Sequence, residues 1–94
     1  MDNDTAAPAL VDLAVMNAAR TEAARLACSG YYQTYEEVQC LAEASGARLV
    51  RDDGWYRHWE LDHPEGGLIT FYAGINSYTR ARTGSRIRRV LPAR

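Results

Sequence analysis

The chain reads as an α+β domain. Two N-terminal helices pack on a three- or four-stranded antiparallel sheet, and a short basic C-terminal helix or hairpin follows. Three observations predict this. An alanine-rich stretch runs over residues 5–29 to a Ser-Gly stop. A second stretch opens with Thr34-x-x-Glu37, a reciprocal cap, and continues with apolar residues at helical spacing. Beyond Gly46 the pattern alternates, punctuated by Asp53-Gly54 and Pro64-Glu65-Gly66-Gly67. At 94 residues and 47% hydrophobic content, the chain is one folded domain, 1–94.

The first helix spans 5–29, with Pro8 early, where a missing N–H costs nothing. Val11, Val15, Ala18, Ala19 and Leu26 lie on one side, and Leu10, Leu13 and Met16 lie round the other. A helix apolar on two sides has two neighbours, so this one is a candidate oligomerisation element. Tyr31-Tyr32-Gln33 connects it to the second helix, where Val38, Leu41, Ala42 and Ser45 face the core and Gly46 is the stop.

Three strands are expected next: Ala47 to Asp52, with Leu49 and Val50 as its apolar residues, then Trp55 to His63, then Leu68 to Ala73. The end admits two readings. The preferred one is a short helix capped by Ser85, burying Ile87, Val90 and Leu91 and stopped by Pro92. The alternative is a hairpin pairing Ser77–Arg82 with Arg86–Leu91 across Thr83-Gly84.

Charge is polarised. All twelve acids lie in residues 1–65 with five arginines, a formal −7; the remainder has six arginines and no acid. Such asymmetry suits an anionic partner for the tail, or head-to-tail self-association. No apolar run approaches bilayer thickness, and the N-terminus opens on acids rather than a basic leader, so a cytoplasmic location is expected. The two cysteines, Cys28 and Cys40, are expected as reduced thiols filling core space. Lacking a CxxC pair, they do not suggest zinc, and no metal or other cofactor is expected.

The densest chemistry sits in GWYRHWELDHPEGG, Gly54 to Gly67, which holds both tryptophans and both histidines. Strand alternation sorts it. Trp59 and Leu61 point to the core, while Tyr56, His58, Glu60 and Asp62 share the outer face. Successive same-face residues are nearly 7 Å apart, too spread for one metal ion. His58 beside Glu60 is the one candidate acid–base pair, if the protein is an enzyme at all. A polar outer face with cross-strand pairing is the plainer reading. His63, next to the turn, is structural. No nucleophile elbow, phosphate loop or HExxH is present.

From Tyr35 to Leu91 the chain resembles the HicA mRNA interferase toxins. The matching pieces are the capped helix ending in SGARLVRDDG, the turn DHPEGG, the strand LITFYAG and the closing GSRIRRVL. The resemblance implies a double-stranded-RNA-binding-domain-like fold. In that family the catalytic histidine follows a Gly-Ser turn. Here Gly54 is followed by Trp55-Tyr56-Arg57-His58, so RNA cleavage is implied only with His58 standing in.

Three functions follow as expectations. The first is non-enzymatic nucleic-acid binding, with RNA preferred. Arg80, Arg82, Arg86, Arg88 and Arg89 would meet phosphates, and Tyr78, with Tyr72 or Trp55, would stack on bases. The second is a protein-binding inhibitor or regulator of the anti-defence or anti-CRISPR kind found in phages and mobile elements. The third is a HicA-like ribonuclease toxin acting through His58 with Glu60.

Overall fold

The computed structural model describes residues 6–74 and 85–91, with side chains from Asp12 onward. Two helices precede four strands: α1 Ala6–Ala27, α2 Tyr35–Ala44, β1 Arg48–Asp52, β2 Tyr56–Asp62, β3 Leu68–Gly74 and β4 Arg86–Val90. The strands form one antiparallel sheet in sequence order, and both helices pack against β3 and β4. Among the described residues, no helix is long and apolar enough to cross a membrane.

The cap that predicts α2 forms in full. Glu37 N–H donates to the Thr34 hydroxyl at 3.1 Å, and Thr34 N–H donates to the Glu37 carboxylate at 2.9 Å. Val38, Ala42 and Ser45 are buried, one turn apart, as their spacing requires. The α1 C-terminus ends as read, with Ser29 bonding back to the Leu26 carbonyl and Gly30 at φ +77°. Its C-terminal half packs through Ala19 and Ala23, while Leu13 and Val15 are about half exposed, at 49% and 52%. The cysteines differ from expectation: both are free, but both are exposed rather than core.

The core is a layer between helices and sheet. Trp59, Phe71 and Ile87 line up across β2, β3 and β4, and Leu61, Ile69 and Ala73 surround them. The β1–β2 turn is set by its aspartates. Asp52 accepts from Gly54 N–H and Asp53 accepts from Trp55 N–H, while Asp53 N–H donates to the Tyr56 carbonyl. His63 is buried beside the next turn, its Nδ1 accepting from Glu65 N–H at 3.0 Å.

The expected C-terminal helix is corrected to a strand. A helix over this stretch would bury Ile87, Val90 and Leu91, yet Val90 and Leu91 are exposed and Ile87 alone is buried. Two or three turns are too short to hold as a helix without strong packing. The apolar core face of β3, by contrast, needs a partner along its second edge, and β4 supplies it. The hairpin alternative has the right strand but a different partner, because Arg86–Val90 pairs with β3. Residues 77–82 lie outside the described residues. The far edge of β4 is capped by the α1–α2 connector: Gln33 N–H donates to the Ser85 carbonyl at 3.0 Å, and Ile87 N–H donates to Gln33 Oε1 at 3.3 Å.

β4 also passes close to the β2–β3 turn. A Cβ on Gly67, at φ +81°, would strike the Val90 carbonyl oxygen and approach Leu91 Cα at 3.2 Å, whereas Gly30 has open space around it. Alanine at either position costs about 1–2 kcal/mol for the left-handed backbone. Only Gly67→Ala must also displace β4, adding about 1–3 kcal/mol. Urea unfolding should therefore place Gly67→Ala well below Gly30→Ala in stability; equal midpoints would contradict the close passage.

Candidate nucleic-acid interface

Burying Trp59, Phe71 and Ile87 on one side fixes what stands on the other. The outer face of the sheet, which no described element covers, carries two cross-strand rows. One row reads Arg51, His58, Tyr72, Arg86, and the next reads Arg48, Glu60, Thr70, Arg88. Each begins and ends on an arginine. With neighbouring strands about 4.8 Å apart, the arginine backbones of a row are separated by about 14 Å.

Arg48 and Arg51 share this face because of a β-bulge. Leu49 pairs with Trp59 and Arg51 with His58, leaving Val50 as the extra residue. In a regular strand, residues three apart point to opposite faces. The bulge brings Arg51 back to the side of Arg48.

Between the arginines stand three rings. His58 and Tyr72 stack with centroids 4.5 Å apart and planes 18° from parallel. Tyr56 lies 5.7 Å from Tyr72, tilted by 32°, and the Arg51 guanidinium sits 5.4 Å over the Tyr56 ring. Arg86 lies 5.0 Å over the exposed Tyr32 ring of the connector. Such a cluster combines π-surface with cationic edges, the two ingredients of single-strand recognition.

The residues singled out in the sequence divide. Arg86 and Arg88 are on the outer face. Arg89 is not: its guanidinium donates to the carbonyls of Glu65 and Gly66 at 2.9 Å, tying β4 to the β2–β3 turn. Tyr78, Arg80 and Arg82 lie outside the described residues. His58 and Glu60 sit together at the centre of the face, with Nε2 and the carboxylate 3.6 Å apart. That is too long for a hydrogen bond, and Nε2 is shielded from solvent with no hydrogen-bond partner. Nε2 faces the Glu60 carboxylate across that gap. Arg48, Arg51 and Tyr56 were not among the candidates. No sequence signal marks the bulge that gathers the two arginines.

No protein-family model, curated protein or solved structure matches the chain, so the reading of this face rests on its own geometry.

The ring cluster also has a pH signature. Burial, reinforced by neighbouring Tyr72 and opposed by Arg51, holds the Tyr56 hydroxyl above its ordinary 10.0. A raised folded value means that this contribution to stability is complete below the unfolded value and is lost as pH rises through the folded one. Thermal unfolding should therefore show an alkaline decline above about pH 10. Tyr56→Phe should make that decline shallower; an unchanged alkaline limb would place its origin elsewhere.

Proposed function

We propose that this chain is a non-enzymatic binder of single-stranded nucleic acid, RNA foremost, using the outer face of its sheet. The observation that carries the reading is the pair of arginine-bounded rows enclosing the His58–Tyr72 stack. Guanidinium groups neutralise phosphates, and bases extend aromatic stacks irrespective of sequence. The acid-free composition from Gly66 onward agrees with it. The ion pairs of Arg48 with Asp62 at 3.9 Å and Arg51 with Asp53 at 3.3 Å are exposed, and each is worth only about 0–1 kcal/mol. They yield readily to a phosphate.

Fluorescence anisotropy with a labelled single-stranded oligoribonucleotide, repeated over a range of KCl concentrations, tests this. Each phosphate contact contributes about 0.7 to the slope of log affinity against log salt. Arg86→Gln should reduce the slope by about that amount, while Arg89→Gln, whose guanidinium is held by the turn, should leave it unchanged. A slope near zero in the parent protein would overturn the reading.

A second reading, a protein-binding regulator, draws support from α1. Its N-terminal half presents Leu13 and Val15 to solvent, and residues 13–19 contain no charge. Such a surface suits a partner protein or a second copy of the chain. Light scattering on the Leu13→Glu, Val15→Glu double variant is expected to show a monomer where the parent is an oligomer. A parent that is already monomeric would remove self-association from this reading.

A further inference from the structure

The row Arg48, Glu60, Thr70, Arg88 contains an anomaly for a phosphate-binding face: a carboxylate at its centre. Four arginines stand on this face, yet among the described residues none pairs with Glu60. Arg48 turns to Asp62, Arg51 to Asp53, and Arg86 to the Tyr32 ring. The imidazole of His58 lies 3.6 Å from Glu60, beyond hydrogen-bond distance. The Glu60 side chain is three-quarters buried, at 27% exposure, and no described hydrogen bond reaches it. Arg88 is exposed, with no ion pair or ring contact among the described residues. Both groups thus stand on one row with no ion pair or hydrogen bond between their side chains and any other described residue, the 3.6 Å His58 contact of Glu60 apart.

Resting on the nucleic-acid reading, we propose that this row selects guanine. Glu60 accepts from guanine N1–H and N2–H₂, and Arg88 donates to O6 and N7. Guanine alone among the bases presents two adjacent donors on its Watson–Crick edge, which match a carboxylate. It also presents the O6/N7 acceptor pair that arginine binds in bidentate fashion. Adenine, cytosine and uracil each set an acceptor beside the donor on that edge, which a carboxylate repels. The spacing agrees. Glu60 and Arg88 flank Thr70, with their backbones about 10 Å apart across two strand spacings, room for one purine between the side chains. Thr70 is small and buried, its hydroxyl donating to the Arg88 carbonyl at 3.3 Å, and it forms a low floor. Tyr72, two residues along β3 on the same face, supplies a ring beside that floor.

The test uses the full chain and labelled octauridine carrying one central guanosine, adenosine, cytidine, inosine or 7-deazaguanosine. Guanosine should bind about tenfold more tightly than adenosine or cytidine, the range expected of one good bidentate contact. Inosine, which lacks the N2 amino group, and 7-deazaguanosine, which lacks N7, should each lose part of that preference on the unaltered protein. Glu60→Gln should reduce the guanosine-to-adenosine ratio to near one. Equal binding of all oligonucleotides by the parent, or a Glu60→Gln variant that keeps the full ratio, overturns the guanine assignment and leaves nucleic-acid binding standing. Failure of every oligonucleotide to bind at low salt overturns both.

Discussion

The arrangement depends on one packing constraint: Trp59, Phe71 and Ile87 must lie side by side beneath the helices. Phe71 is fully buried and sits opposite Trp59 on one neighbour and Ile87 on the other. A slip of one residue in either strand pair would carry an aromatic or branched side chain into water and bring a histidine or arginine into the core. The large free-energy difference between those registers keeps every outer residue in its row. His58 meets Tyr72, and Arg86 and Arg88 stand beyond them, because Phe71 cannot be anywhere else. The make-up of the outer face is a by-product of parity.

Local chemistry was legible in the sequence where it acts over a few residues. The Thr34–Glu37 box, the Gly30 stop and the Asp-Gly turn each rest on contacts within four positions, and each forms. Trp59 and Leu61 as core, and His58 with Glu60 as outer face, followed from period-two alternation alone. Three features were hidden. The helix expected at Arg86–Val90 satisfied local capping rules, but the open edge of β3, about 18 residues earlier in the chain, decided otherwise. The bulge at Val50 has no marker, since nothing but the pairing partner shows that a residue is extra. The exposure of Cys28 and Cys40 depends on how the two helices meet, which composition does not reveal.

The arginines illustrate why residue type is a poor guide to role. Arg88 and Arg89 are adjacent, yet one faces solvent on the open side and the other spans the turn with three hydrogen bonds to two carbonyls. Arg20, far from the basic tail, donates to the Ser45 carbonyl at 2.8 Å and ties α1 to the end of α2. The rigid planar fork that makes arginine good for phosphate is equally suited to collecting carbonyls at a chain reversal. For Arg88 and Arg89 the side of the sheet on which each falls decides what it meets.

The bonds from Gln33 to Ser85 and Ile87 join points 52 and 54 residues apart. Their consequence lies in synthesis. Until residues up to Val90 have left the ribosome, Phe71 lacks one flank and the outer edge of β3 has no strand beside it. The nascent chain can form α2, and can sample the β2–β3 hairpin, but it cannot seal a core. Closure of the core therefore waits on contacts that are distant in sequence, with β4 as the closing piece. During that interval the exposed β3 edge is the part of the molecule that most needs protection from other chains.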